Sequence, residues 1–311
     1  INVTFESGTA RTGTVTCSDN ADGSETCSTI TNGTSTYTHP AFKFGNTELT
    51  GFWVGKFEIS TTDSTCSSSA TSANCNKVLT MTIKPNVSSW RYATISNQFT
   101  SIQNVKTIYG ISNADSHMMK NMEWGAVAYL KQSQYGLGTT DIGINNNSNY
   151  ITGCGATAGS TSSATCNKYN TTTGMLASTT GNIYGVYDMS GGAFEYVMGN
   201  MKNSNNEFYS SNAGFTTAPE AKYYDSYKYD TSNTSHARGK LGDATKETLT
   251  TFGNDKGGWY SDYASFPCSS YSWFGRGGFY GSSTNAGVFY FDTSYGGGSG
   301  LYSAHAVLSA Q

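Results

Sequence analysis

Gly181-Asn182-Ile183-Tyr184-Gly185-Val186-Tyr187-Asp188-Met189-Ser190-Gly191-Gly192-Ala193-Phe194-Glu195-Tyr196 and, further on, Trp273-Phe274-Gly275-Arg276-Gly277-Gly278 are the stretches whose reading decides the fold. Glycines set among aromatic and acidic residues mark backbone held where a Cβ would clash, in bulges and tight turns between short strands. Neither stretch is a phosphate loop. Outward from them, Phe52-Trp53-Val54-Gly55-Lys56-Phe57-Glu58-Ile59 alternates as a core strand does. Asp115-Ser116 reads as the cap of a helix running through Met118, Met119, Met122, Val127, Tyr129 and Leu130 to about Tyr135-Gly136. Its methionine stripe is expected to be core, and a second, weaker helix is expected from Ser96 to Val105.

Charged residues make up only 13% of the 311, while Gly numbers 36 and Tyr 22. That composition suits loops and short strands more than long helices. With a net charge of −3 and no Lys/Arg run, nothing in the chain offers a nucleic-acid stripe, and no apolar run reaches membrane-spanning length. Six of the seven cysteines fall into close pairs inside polar loops: Cys17 with Cys27, Cys66 with Cys75, Cys154 with Cys166. None has the spacing of a metal site, so the pairs read as local disulfides formed in an oxidising compartment, with free thiols as the alternative. Cys268 is left over. Residues 1–38 read as a small disulfide-tied β-hairpin, either an appendage or linker or the edge of a main domain spanning 39–311. Residues 136–180 form an Asn/Ser/Thr/Gly-rich insertion, expected on the surface.

The order N-x-Y-G-x-x-D-M-x-G-x-x-x-E-Y, then W-x-x-R-G-G, together with the Trp53–Ile59 strand and Trp124-Gly125-Ala126-Val127-Ala128-Tyr129, resembles the formylglycine-generating-enzyme (sulfatase-modifying factor) family, a branch of the C-type-lectin fold. The resemblance covers roughly Pro40 to Leu308. It implies an α+β fold of short twisted strands, two helices and long loops. The enzymes of that family bind copper through a cysteine pair just after R-G-G, and here Arg276 to Phe289 contains no cysteine. Soft Cu(I) requires thiolates that the hydroxyls of this stretch do not replace, so the copper-oxidase reading fails on its own motif, and a non-enzyme without a cofactor is expected. The histidines at 39, 117, 236 and 305 lack metal spacing, and no hydrolase elbow, zincin helix or Walker loop occurs. Asp188 and Glu195 could form a carboxylate pair, but hydrogen bonding to backbone amides or to Arg276 is the favoured reading, and no metal ligand is assigned.

From Gly275 to His305 the chain is crowded with Tyr, Phe, Ser, Gly, Asn, Asp and Thr and contains no Lys, Glu, Gln, Met, Trp, Pro or Cys. Antibody-like binding loops share this composition, because aromatic rings give contact area at low entropy cost and small polar groups adapt their hydrogen bonds. The tail resembles that of the variable protein of a diversity-generating retroelement, whose C-terminal region is rewritten at adenines. The resemblance implies a variable region of about 268–305 on a domain displayed at a cell or virion surface, with Cys268 read as a free buried thiol, an intermolecular link or a rewritten position. Its expected contacts are Gly275, Phe279, Tyr280, Gly281, Ser282, Ser283, Thr284, Tyr290, Asp292, Thr293, Ser294, Tyr295, Gly297, Ser299, Leu301 and Tyr302. Tyr280, Tyr290 and Tyr295 are expected to be exposed. The expected partner is a protein or glycan ligand on a cell surface. The alternatives are a surface or filament subunit and an atypical enzyme of the family. His305, Ala304 and Ala306 depart from the tail pattern, which carries Arg at the first position and bulkier residues at the other two.

Overall fold

The computed structural model describes residues 2–3, 13–14, 17–27, 31–32, 37–62, 81–140, 167–234, 236–246, 259–282 and 285–310. The fold is mixed α+β, built from several small sheets and short helices. Strands β1 (Asn2–Val3), β2 (Gly13–Thr14), β3 (Cys17–Asp19), β4 (Glu25–Cys27), β5 (Thr31–Asn32) and β6 (Tyr37–Thr38) nest as antiparallel pairs β1–β6, β2–β5 and β3–β4. Cys17 faces Cys27 across the innermost pair, and their sulfurs are bonded. The pairs Cys66–Cys75 and Cys154–Cys166 lie outside the described residues, as do Ser283 and Thr284. The hairpin tip rests on the rest of the molecule: the Lys240 ammonium reaches Asp19 Oδ1 at 2.7 Å, Leu241 N–H donates to Glu25, and Lys202 and Asn206 donate to Ala21 O.

After the short pair β7 (Lys43–Phe44) and β8 (Thr47–Glu48), two sheets carry the body. The first has the order β10 (Ala114–Met118), β16 (Ala306–Ala310), β9 (Phe52–Val54), all antiparallel. The second runs β12 (Asp225–Tyr227), β11 (Phe194–Met201), β13 (Trp273–Arg276), β14 (Phe291–Ser294), with β15 (Tyr302–Ser303) also paired to β11. Every residue of β11 is buried. Phe194, Tyr196 and Met198 enter one core with Trp90, Ile95, Phe99 and Trp273, while Val197 enters another with Trp124, Phe266, Phe274 and Phe289. Adjacent residues thus serve opposite cores, also at Met118/Met119, Trp273/Phe274 and Ala306/Val307. A strand covered on both faces shows a continuous apolar run instead of an alternation.

The first core is closed by α1 (Ile95–Gln103), with the Thr94 hydroxyl accepting from Asn97 N–H at its start and Ile95, Gln98, Phe99 and Ile102 on the buried side. This is the weaker helix expected from Ser96, and α2 (Val105–Ile108) follows it. The stronger expectation is corrected. Asp115-Ser116 does not cap a helix but lies in β10, with His117 opposite Val307, and α3 spans only Asn121–Ala128. Glu123 marks its start by accepting from Lys120 N–H at 2.8 Å. Met118 ends β10 and Met119 follows it, the two buried in opposite cores, so their apolar spacing continued that of the helix and hid the boundary. The strand expected over Phe52–Ile59 also shortens, to Phe52–Val54, and Trp53 is 59% exposed. Beyond Gly55 the chain bends inward, burying Phe57, Glu58, Ile59 and Ser60 in succession. A further helix, α4 (Thr172–Met175), is capped by the Thr171 hydroxyl. No helix among the described residues is long and apolar enough to cross a membrane.

Candidate ligand-binding surface

The two glycine-rich stretches meet. Gly191 N–H donates to Gly277 O at 3.1 Å, and Gly287 N–H donates to the same carbonyl. Gly277 has φ +80°, and a Cβ there would meet Met189 O at 3.0 Å and the Trp124 ring at 3.2 Å, so the turn requires glycine. The Arg276 guanidinium is buried between the Trp124 and Phe291 rings and donates to Asn121 Oδ1 at 3.2 Å. Trp124 in turn donates through Nε1 to Val288 O at 2.9 Å. Gly287 is needed for a different reason: its missing side chain leaves the space that the Asp262 carboxylate occupies while accepting from Phe289 N–H at 3.0 Å. Burial pushes the Asp262 carboxyl up to about 8.

Three motif acids are also buried. Glu58 accepts from Ala193 N–H at 2.8 Å, and Glu195 Oε2 pairs with His305 Nδ1. The Glu195 side chain thus meets the ring of His305, between β15 and β16, while its backbone stands opposite Arg276 in the β11–β13 ladder. Desolvation, then repulsion from neighbouring carboxylates that include Asp188, raises Glu58 and Glu195 well above the usual carboxylate range. Burial lowers His305 to about 4. Ala304 and Ala306 are core residues, so the three departures from the tail pattern all lie inside the molecule.

On this scaffold the tail residues divide into two sets. Phe279, Tyr280, Ser282, Asp292, Thr293, Gly297, Ser299 and Leu301 are half-buried, and Gly281 and Tyr295 are exposed. A tight loop presents the first of these: Tyr280 N–H donates to Gly192 O, Ser282 N–H to Phe279 O, and Phe279 N–H to the Ser282 hydroxyl. Tyr295 is 47% exposed, and its ring lies 4.3 Å from that of Tyr271, hydroxyl to hydroxyl at 3.0 Å. Gly275, Tyr290, Ser294 and Tyr302, in contrast, are buried, which corrects the expectation of contact residues there. Tyr302 stacks on Tyr196 at 4.2 Å and on Phe194 at 5.0 Å because β15 pairs directly with β11. Tyr290 packs on Phe194 and Tyr263, each at 5.5 Å, and its hydroxyl donates to Asp292 Oδ2 at 3.2 Å. Ser294 hydrogen-bonds Tyr196 across the sheet.

Sequence reading missed Tyr263 and Tyr271, which accompany Tyr290 and Tyr295 from a separate loop. Their aromatic Ser/Tyr surroundings at 259–272 were the available signal. Asp292 is the one acid of the presented set, and burial raises its pKa. Among the described residues the only close trio of metal-ligand atoms is that of Cys17, Glu25 and Cys27, and both sulfurs are committed to the disulfide. No protein-family model and no curated protein matches the chain.

Proposed function

We propose that the protein is a non-catalytic binding protein of the C-type-lectin fold, of the formylglycine-generating-enzyme type, displayed on a bacterial cell or phage surface, and that its diversified C-terminal loops recognise a protein or glycan on another surface. The observation that carries this reading is the division of the tail. Tyr295 is exposed and Phe279, Tyr280, Ser282, Asp292 and Thr293 are half-buried, a set of adaptable chemistry, while the turns beneath them are locked by the buried Arg276, Gly277 and Trp124. A rigid base under variable side chains permits a change of ligand without a change of fold.

Two variants test it, each replacing Tyr280, Ser282, Thr293 and Tyr295 with other small or aromatic residues and leaving Tyr290 and Tyr302 intact. Both should keep the parent's melting temperature and circular dichroism. In a screen against whole cells and a surface-protein array, each should bind a different set of ligands. Identical ligand profiles for the parent and two folded variants would overturn the proposal, and polymerisation of the parent in solution would put a structural subunit in its place.

A further inference from the structure

A cleft of about 490 Å³ lies where the hairpin tip meets the body, formed by other elements than the tail. It gathers Lys43, Lys120, Lys222 and Lys240, four of the 18 basic residues in a chain of net charge −3. Lys240 is held by Asp19 at 2.7 Å, Lys222 by Asp115 at 3.6 Å and Lys120 by Glu123 at 3.7 Å. Among the described residues Lys43 makes no ion pair, and it is exposed. An ammonium has three donors, so even the paired lysines keep hydrogen-bonding capacity.

The same lining contains three carboxylates. Asp19 holds Lys240, Glu25 accepts from Leu241 N–H, and Asp225 Oδ2 accepts from Met122 N–H at 2.7 Å at the start of α3. They offset most of the charge of the four ammonium groups, which favours a singly charged anion over a phosphate ester. A ligand with a single carboxylate and several hydroxyls satisfies both halves of the lining, its charge facing Lys43 and its hydroxyls donating to the acids. Tyr224, half-buried against Phe208, also lines the cleft and adds an aromatic residue of the kind that sugar sites use.

We propose that this cleft is a second binding site, separate from the tail, and that it takes a carboxylate-bearing monosaccharide. The proposal is independent of the reading of the tail. The test uses calorimetry and ligand-observed NMR on the whole chain, with galacturonic acid and N-acetylneuraminic acid as probes, galactose as the neutral control and inorganic phosphate as the simple anion. At least one acid sugar should bind about tenfold or more tightly than galactose and phosphate, the scale of one charge-assisted contact. Lys43→Ala and Lys43→Glu should weaken that binding about fivefold and tenfold or more without shifting the melting temperature, since Lys43 is exposed and makes no ion pair among the described residues. A variant rewritten at Tyr280 and Tyr295 should bind the acid sugar as the parent does. No binding of either acid sugar, equal binding of galactose or phosphate, or unchanged binding in both folded Lys43 variants overturns the proposal.

Discussion

At the scale of single residues, the tail holds neighbours with opposite duties. Tyr290 is 4% exposed within an aromatic cluster, whereas Tyr295 is at the surface against one other ring. Tyr290→Ala should cost about 3–5 kcal/mol, as deletion of a buried aromatic side chain does, and Tyr295→Ala less than about 1 kcal/mol. Gly277→Ala should cost at least about 2 kcal/mol, because strain at φ +80° adds to the crowding against Met189 and Trp124. Chemical denaturation of the three variants checks the order, and equal losses at Tyr290 and Tyr295 would contradict it. Asp262 gives a pH signature. Its carboxyl titrates at about 8 in the folded protein but at 3.8 without the fold, so between those values the folded state holds the extra proton and stability falls as pH rises. Asp262→Asn keeps an acceptor for Phe289 N–H but has no charge to bury. It should flatten the decline and be the more stable protein near pH 8, by on the order of a few kcal/mol. Melting curves at several pH values decide this, and parallel curves for parent and variant would refute it.

At the scale of elements, the hairpin and β11 show how local and long-range forces share the structure. Cys17 and Cys27 face each other in a two-stranded ladder too small to be stable alone, and the cross-link restricts the unfolded loop. Replacing both with serine should destabilise the tip by about 2–3 kcal/mol, read as faster amide exchange over residues 17–27 with the body unaffected. Non-reducing peptide mapping should find this pair together with Cys66–Cys75 and Cys154–Cys166, and free thiols or cross-loop pairs would exclude the local framework. The strand β11 depends instead on distant partners, taking β13 on antiparallel register and β12 and β15 in parallel. Its ladder with β13 shifts register between Tyr196 and Asn200. At Gly199, within that shift, a Cβ would approach the Phe274 ring at 2.8 Å.

At the scale of the whole molecule, β16 closes the body by pairing with β9 and β10, so residues near 53 and 115 become neighbours of 308. The sequence by itself determined the glycine turns, because a positive φ at Gly277 and the close approach at Gly287 leave no choice of residue. It also determined a helix near Ser96, found at Ile95–Gln103, and the Cys17–Cys27 pairing, through a short polar loop. Only the tertiary structure decided where β10 ends and α3 begins, since two covering cores bury Met118 and Met119 alike and erase the periodicity that separates strand from helix. It likewise decided which tail residues face outward. Composition counts Tyr290, Tyr295 and Tyr302 as equals, but β15 pairing with β11 stacks Tyr302 on Tyr196, Phe194 and Tyr263 enclose Tyr290, and Tyr295 remains at the surface. The lysine cleft was invisible for the same physical reason: its walls come from chain segments that attract no notice separately, and its charge exists only where folding brings Lys43, Lys120, Lys222 and Lys240 around one volume.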